Sequence, residues 1–204
     1  LAMSIHKARG FFIEALLNVF PDTKVDAPFE GLPRTFLQIA IERRSIEAMR
    51  CLIQHGANLL AKDIRGRNAL QVAAHYFPAV LLELVNLMEG LPLEKRGGKT
   101  IKEILESQDN SGHTLFAQLL LEGYDEERQL AESLRVKYGL QHDYKMGGDG
   151  DKWTTLVGYM VSAAAADGLI PIEHVQYLLD LDPAPEYVCD SEGKTLFSLA
   201  VQGF

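Results

Sequence analysis

Cysteine and tryptophan are scarce in this sequence, and long apolar runs are missing. There are two cysteines, Cys51 and Cys189, among 204 residues. These are too few for a disulfide framework, so a reducing compartment, the cytoplasm or the nucleus, is favoured over secretion. The longest apolar runs are only a handful of residues, as in Ala79 to Leu82, and predict no membrane span. The chain begins with Leu rather than Met, which predicts that it is a piece of a longer protein.

Basic residues are outnumbered, and the imbalance is confined to one half of the chain. The sequence holds 20 Lys and Arg against 28 Asp and Glu, a net charge of −8. Residues 1–110 contain 14 basic and 13 acidic residues, whereas residues 111–204 contain 6 and 15. A protein with so acidic a half is repelled by phosphate backbones and anionic lipid. We therefore expect neither nucleic acid nor a membrane as a partner.

The sequence has no alternating strand pattern, and its apolar periodicity is helical. Apolar residues recur at spacings of three and four in short stretches separated by Gly, Asn, Asp or Pro. Short helices cannot each enclose a core, so they are expected to stack as repeats. The predicted helical stretches are Phe11–Leu17, Phe36–Ile41, Ile46–Ile53, Leu70–Ala74, Val80–Leu87, Leu115–Leu121, Val157–Ala164 and Val175–Leu179.

One sequence pattern typical of a helix N-terminus, which we call a helix opening, occurs five times. A small polar residue is followed by apolar positions on one helix face at Thr35, Asn68, Thr114, Thr155 and Thr195. Successive openings are 33, 46, 41 and 40 residues apart. The polar side chain of such a residue accepts a hydrogen bond from the first unpaired backbone amides of the helix. These five positions therefore predict five helix N-termini.

A turn with a fixed pattern precedes three of these openings. The pattern is Asp63-Ile-Arg-Gly66, Asp109-Asn-Ser-Gly112 and Asp190-Ser-Glu-Gly193, with the Gly two residues before the Thr or Asn. A shorter turn signal, Glu30-Gly31, precedes Thr35. An Asp side chain caps a turn by accepting backbone amides, and Gly tolerates a positive φ. The pattern predicts a repeated β-turn before the helix.

These residues resemble the ankyrin repeat, a 33-residue unit of a β-turn and two antiparallel helices. The best match runs from Thr35 to Lys62 and ends its second helix with Gly56-Ala57-Asn58. Gly123 falls at the family's position between the two helices. The resemblance implies an all-α, ankyrin-type solenoid of stacked helix-turn-helix repeats joined by β-turns. It also implies that Leu37, Ala40, Leu52, Leu70 and Ala73 share one core.

The resemblance implies a single array with insertions. The approximate units are 1–29 (partial), 30–62, 63–108, 109–149, 150–189 and 190–204 (partial). Three of the four intervals between helix openings are longer than 33 residues, which predicts insertions at Leu91–Gln108, Lys137–Lys152 and Ser162–Pro171. The first of these insertions is predicted to contain an extra helical turn at Lys102–Ser107. The glycine-rich Lys137–Lys152 segment is predicted to be a mobile surface loop.

The sequence departs from the family pattern in two ways. Proline is missing after every opening Thr or Asn, and Gln38 and Gln71 stand where the family has His. A HEAT-like or tetratricopeptide-like solenoid is the alternative, although those families lack the Asp-x-x-Gly-x-Thr turn.

Residues with reactive or metal-binding chemistry are scattered rather than grouped. No phosphate-binding loop and no His-Glu-x-x-His motif occurs, so we predict neither an enzyme nor a cofactor. Asp143, Asp149 and Asp151 form either a loose calcium loop or, as we favour, a solvated insertion. Cys51 is predicted to lie in the core, and Cys189 is either structural or a reactive thiol.

Because no catalytic motif is present, we expect the function to be binding. The resemblance implies that the turn tips and the first helices line a concave protein-binding face. Five of the nine residues it places there are Arg or Lys, which favours a protein partner with an acidic segment. The alternatives are a solvated charged face, or a regulatory or targeting array attached to an enzyme or effector domain elsewhere. We expect a non-catalytic, monomeric scaffold. Its predicted binding strip comprises Arg34, Glu42, Arg43, Lys62, Ile64, Arg65, Arg67, His75 and Tyr76.

Overall fold

The computed structural model describes most of the chain, and it divides into two compact units. The described residues are 10–20, 24–26, 34–122, 124–142, 145–147, 153–167, 170–181 and 190–202. The first unit extends to Ile104, and the second begins at Leu105. A helix occurs at each stretch where apolar periodicity predicted one.

The first unit is built from short helices that pack in pairs. The helices are α1 (Gly10–Val19), α2 (Phe36–Glu42), α3 (Ile46–Gln54), α4 (Ala69–Tyr76), α5 (Leu81–Glu89) and, at the boundary between the units, α6 (Ile101–Leu105). Helix α2 packs against α3 within one pair and against α4 of the next, and α4 packs against α5. Helix α1 packs against α3, as expected for the second helix of a preceding repeat. Short 3-10 turns at Pro78–Val80 and Leu93–Arg96 flank α5.

The core of the first unit includes the residues that the repeat register predicted. Each of Leu37, Ala40, Leu52, Leu70 and Ala73 has at most 1% of its surface exposed. Cys51 is also buried, in agreement with its predicted place in the core. Burying an aliphatic side chain contributes roughly 1.5–3 kcal/mol. The 33-residue register between Thr35 and Asn68 is thereby confirmed.

The three Asp-x-x-Gly turns have the same geometry. The Asp63 carboxylate accepts the amides of Arg65 (2.9 Å) and Arg67 (2.8 Å), and the Gly66 amide donates to the Asp63 carbonyl (2.9 Å). Gly66, Gly112 and Gly193 have φ of 73°, 82° and 78°, which glycine adopts without a Cβ penalty. Both predicted roles, the capping Asp and the positive-φ Gly, are confirmed. The Glu30-Gly31 turn lies outside the described residues.

Gln38 takes over the position at which the family has His. Its side chain and that of Thr35 form a reciprocal capping box at the start of α2. Its Nε2 also donates to the carbonyls of Ala61 (3.0 Å) and Arg67 (3.1 Å), on either side of the first turn. One glutamine therefore caps its own helix and fixes the next turn to it.

The described residues of the second unit form helices and a pair of short strands. The elements are α7 (Leu115–Leu121), α8 (Asp125–Tyr138), β1 (Lys145–Gly147), β2 (Trp153–Thr155), α9 (Leu156–Asp167), α10 (Ile172–Leu181) and α11 (Leu196–Gln202). Helix α7 packs against α8, and α9 packs against both α10 and α11. The predicted openings at Thr114, Thr155 and Thr195 each accept a backbone amide of the helix that follows.

The prediction of a mobile surface loop over Lys137–Lys152 is wrong for part of that segment. Lys137 and Tyr138 complete α8, and β1 pairs antiparallel with β2 in the register Lys145 to Thr155. Met146 is 2% exposed, so the first strand contributes to the core. Strands this short carry too few alternating residues to show in the sequence. Residues 143–144 and 148–152 lie outside the described part of the chain, as do Cys189 and Gly123.

Candidate protein-binding surface

The ends of α2 and α4 lie side by side. The Arg44 Nε donates to the Tyr76 carbonyl (3.1 Å), and its guanidinium lies 5.7 Å from the centre of the Phe77 ring. Arg43 and His75 are exposed next to this contact. The structure therefore brings these two parts of the predicted strip together although they are about one repeat apart in sequence.

The first turn presents exposed side chains of mixed character. Lys62 and Arg65 are exposed, and Ile64 between them has 64% of its surface exposed. Because Gln38 and the Asp63 carboxylate hold the turn backbone, these side chains project from a fixed support. An isoleucine so exposed at a rigid turn is an apolar contact point between two cations.

Arg67 is buried, so its predicted place in an exposed binding strip is wrong. It is 4% exposed, and its Nε and Nη2 both lie 2.9 Å from Asp63 Oδ2. Its guanidinium also lies 5.7 Å from the centre of the Tyr76 ring. The carboxylate that caps the turn needs a cationic partner inside the protein, and Arg67 supplies it.

Longer contacts between the corresponding residues occur in the other two turns. His113 Nδ1 lies 3.7 Å from Asp109, and Lys194 Nζ lies 4.0 Å from Asp190. Burial raises the pKa of Asp109, but hydrogen bonds from the His113 side chain and amide, and from the Ser111 amide, outweigh it and hold that pKa below its ordinary value. The sequence signal is a basic residue directly after the turn Gly. It marks a residue that supports the turn.

Arg34 and Glu42 also neutralise each other. Arg34 Nη1 lies 2.6 Å from Glu42 Oε2, and 13% of the Glu42 side chain is exposed. The pair joins Arg34, two residues before the start of α2, to Glu42, the last residue of that helix. Both members stay at the edge of the predicted strip, but together they add no net charge to it.

Arg44 is a residue that the predicted strip omitted. It has a φ of 54°, the left-handed region that an L residue enters at a cost of roughly 1–2 kcal/mol. Its place between α2 and α3 is the position at which the resemblance placed Gly123 in a later unit. That correspondence is the signal that identifies it in the sequence. Its side chain reaches back to α4, and it is exposed.

The remaining residues form what we call the exposed basic surface of the first unit. His75 packs edge-on against Tyr76, with ring centres 4.5 Å apart. Neither Arg43 nor Arg65 forms an ion pair with a carboxylate in the described part of the chain. The surface has four cationic side chains and no carboxylate. Its members are the exposed Arg43, Arg44, Lys62, Ile64, Arg65 and His75, with the partly buried Tyr76.

The second unit has a polar cluster of a different kind. Tyr177 on α10 donates to Glu132 on α8, and Glu132 also pairs with Arg135 Nε (2.7 Å). Burial and the hydrogen bond to Glu132 raise the pKa of Tyr177 to about 12, so the phenol stays protonated at neutral pH. The Arg135 hydrogen bond, which outweighs burial, lowers the pKa of Glu132. These groups satisfy one another and hold α8 against α10.

The described residues lack the side-chain clusters and the helices that a metal site or a membrane span requires. Those residues contain no group of three or more His, Cys, Asp or Glu side chains placed to hold a metal ion. None of their helices combines the length and apolar character needed to cross a bilayer. Asp143, Asp149 and Asp151 lie outside the described residues.

Solved structures similar to this chain share one architecture. An ankyrin repeat domain from Acinetobacter baumannii AYE has a TM-score of 0.64 at 18% identity, covering 99% of this chain and 90% of that one. The ankyrin repeat domain of Bcl-3, a member of the IkappaB protein family, has a TM-score of 0.67 at 18% identity, with coverages of 99% and 84%. A further ankyrin repeat protein has a TM-score of 0.67 at 16% identity, with coverages of 98% and 89%.

The match is one of structure rather than of sequence. No protein-family model and no curated protein matches the sequence. Repeat arrays of this kind stack similar units, so that each unit contacts only its neighbours. Together, the paired short helices, the Asp-x-x-Gly turns and the three solved structures show that this chain has the all-α ankyrin repeat fold.

Proposed function

We propose that this chain is a non-catalytic protein-interaction scaffold. Its first unit binds a protein partner through the exposed basic surface, and the recognised part of the partner is an acidic segment. The observation that carries the proposal is that Arg43, Arg44, Lys62 and Arg65 are all exposed in the first unit of a protein whose net charge is −8. Complementary charge guides such a partner into place and selects against others.

The composition of the surface favours a protein over a nucleic acid. Ile64 offers an apolar contact in the middle of the cations, and the Tyr76 ring is held between His75 and Arg67. Arg and Tyr are enriched among the residues that dominate protein interfaces. An exposed isoleucine does not contribute to the binding of phosphate groups. The partner segment therefore combines carboxylates with an apolar side chain.

The rigid placement of these side chains supports affinity. Gln38 fixes the turn to α2, and the buried Arg67–Asp63 pair fixes the turn to Tyr76. A surface held in its binding conformation loses little conformational entropy when the partner binds. The scaffold acts as a monomer in the cytoplasm or the nucleus, where its buried Cys51 stays reduced.

Reversing two charges tests this assignment. The double variant Arg43→Glu with Arg65→Glu is expected to bind partners at least about tenfold more weakly at low salt, with a smaller salt dependence, because it removes attraction and adds repulsion. Both side chains are exposed, so the thermal midpoint stays close to that of the wild type. The measurement is recovery of partners by the immobilised chain, followed by titration of affinity against salt.

Glu173→Lys is the control, because Glu173 is exposed on α10 of the second unit. It is expected to leave partner recovery unchanged. If the double variant folds normally and recovers the same partners as the wild type, the exposed basic surface is not the binding site.

A further inference from the structure

The insertion between α5 and α6 forms a folded turn. It contains the 3-10 turn Leu93–Arg96, followed by Gly97 and Gly98 at φ of 63° and 74°. The Gly97 amide donates to the Glu94 carbonyl (3.1 Å), and the Gly98 amide donates to the Leu93 carbonyl (2.9 Å). The turn is thus held by its own hydrogen bonds. Its side chains are presented from a defined backbone.

This insertion lies against the segment that leads to the first turn. A Cβ added at Gly97 would be 3.6 Å from Leu60 Cδ1. Leu60 is two residues before Lys62, which belongs to the exposed basic surface. The close approach therefore places the insertion beside that surface, within the same unit.

The insertion is itself basic. Lys95, Lys99 and Lys102 are exposed and Arg96 is partly exposed. The same stretch holds three carboxylates, those of Glu94, Glu103 and Glu106. Glu103 accepts hydrogen bonds from the amide (2.7 Å) and hydroxyl (2.8 Å) of Thr100 at the start of α6. These hydrogen bonds lower the pKa of Glu103. Glu103 therefore caps the start of that helix.

We propose that the insertion extends the exposed basic surface, so that the two bind one extended acidic segment of the partner. This inference rests on the proposed function and adds a second contact region to it. The close approach of Gly97 to the Leu60 side chain places the insertion beside the segment that leads to the first turn. Charge complementarity over this combined surface selects a run of Asp and Glu rather than a single carboxylate.

The apolar side chains on the combined surface favour an acidic peptide over a nucleic acid. Leu93 has 46% of its surface exposed in the insertion, and Ile64 has 64% exposed in the turn. The insertion has no aromatic side chain on which a base could stack. The ligand is accordingly a peptide whose carboxylates alternate with occasional apolar residues.

The test uses a fluorescein-labelled peptide rich in Glu, with two Leu, of about 16 residues, which spans roughly 50 Å when extended. Fluorescence anisotropy is titrated with the full chain at several salt concentrations. Lys95→Glu with Lys99→Glu is expected to weaken binding about tenfold and to reduce its salt dependence. Lys137→Glu, an exposed lysine of the second unit, is the matched control and is expected to bind as the wild type does.

The outcomes separate this inference from the proposed function. If the Lys95/Lys99 variant binds like the wild type while Arg43→Glu with Arg65→Glu is weakened, the insertion is not part of the site and the proposed function stands. If neither variant is weakened, or the wild type does not bind the peptide, both are wrong. A single-stranded oligonucleotide of the same length that binds more tightly than the peptide also overturns the inference.

Discussion

Replacing Arg67 with Ala is expected to destabilise the protein by about 3–5 kcal/mol, because it leaves a buried carboxylate without its cation. The Asp63 side chain is 1% exposed and the Arg67 side chain 5% exposed. In the variant, Asp63 Oδ1 still accepts two backbone amides, but Oδ2 loses the guanidinium. The Tyr76 ring loses the cation that lies 5.7 Å from its centre.

The measurement is the free energy of unfolding, obtained from a urea titration that is monitored by circular dichroism. Arg65→Ala is the matched control, since Arg65 lies in the same turn but is exposed. It is expected to change the free energy of unfolding by less than about 0.5 kcal/mol. Equal effects at the two positions would show that the Arg67–Asp63 pair does not stabilise the turn.

Leu70→Ala is expected to lower the free energy of unfolding by about 2–5 kcal/mol. Leu70 is 1% exposed on α4, in the core shared with Leu37 and Leu52. The loss combines the transfer free energy of the removed carbons with the cost of the cavity, because a close-packed core collapses only partly.

Leu82→Ala supplies the comparison, since it is the same substitution on α5 at a leucine with 50% of its surface exposed. Its effect is expected to be much smaller when both variants are unfolded in urea. A Leu70 variant no less stable than the Leu82 variant would contradict the repeat register, because that register is what places Leu70 in the core.

The sequence predicted the parts of the fold that depend on local rules. Thr and Asn at helix openings, Gly at positive φ and apolar residues on one helix face each follow from backbone geometry or burial. The 33-residue period then placed Leu37 and Leu70 in one core. Such rules act within a few residues of each other, so a single sequence is enough to apply them.

Helix α8 was not predicted because it buries very little. Of its 14 residues, Ala131 and Leu134 are the buried ones, so its apolar periodicity is weak. It is stabilised instead by acidic residues in its first turn, basic residues in its last turn and the Arg135–Glu132 pair at 2.7 Å. A search for apolar spacing does not detect a helix held by charge.

The predicted strip contained both exposed and buried basic residues, and the residue type alone does not distinguish them. Arg65 and Arg67 are two positions apart in one turn, yet one is exposed and the other is buried against Asp63. Only the path of the turn backbone determines which guanidinium points at the carboxylate. The basic insertion at Lys95–Lys99 was treated as an interruption of the repeat, because its approach to Leu60 depends on tertiary packing.

Site-specific photo-crosslinking tests most directly whether the partner binds the exposed basic surface. A photoreactive phenylalanine analogue replaces Ile64, which is exposed at the first turn, and in a second protein it replaces Leu82, which is exposed on α5. Irradiation of each protein with its captured partner is followed by mass spectrometry of the crosslinked peptides. We expect a crosslink from position 64 to a Glu- and Asp-rich peptide of the partner and none from position 82. A crosslink from position 82 alone would contradict binding at the exposed basic surface.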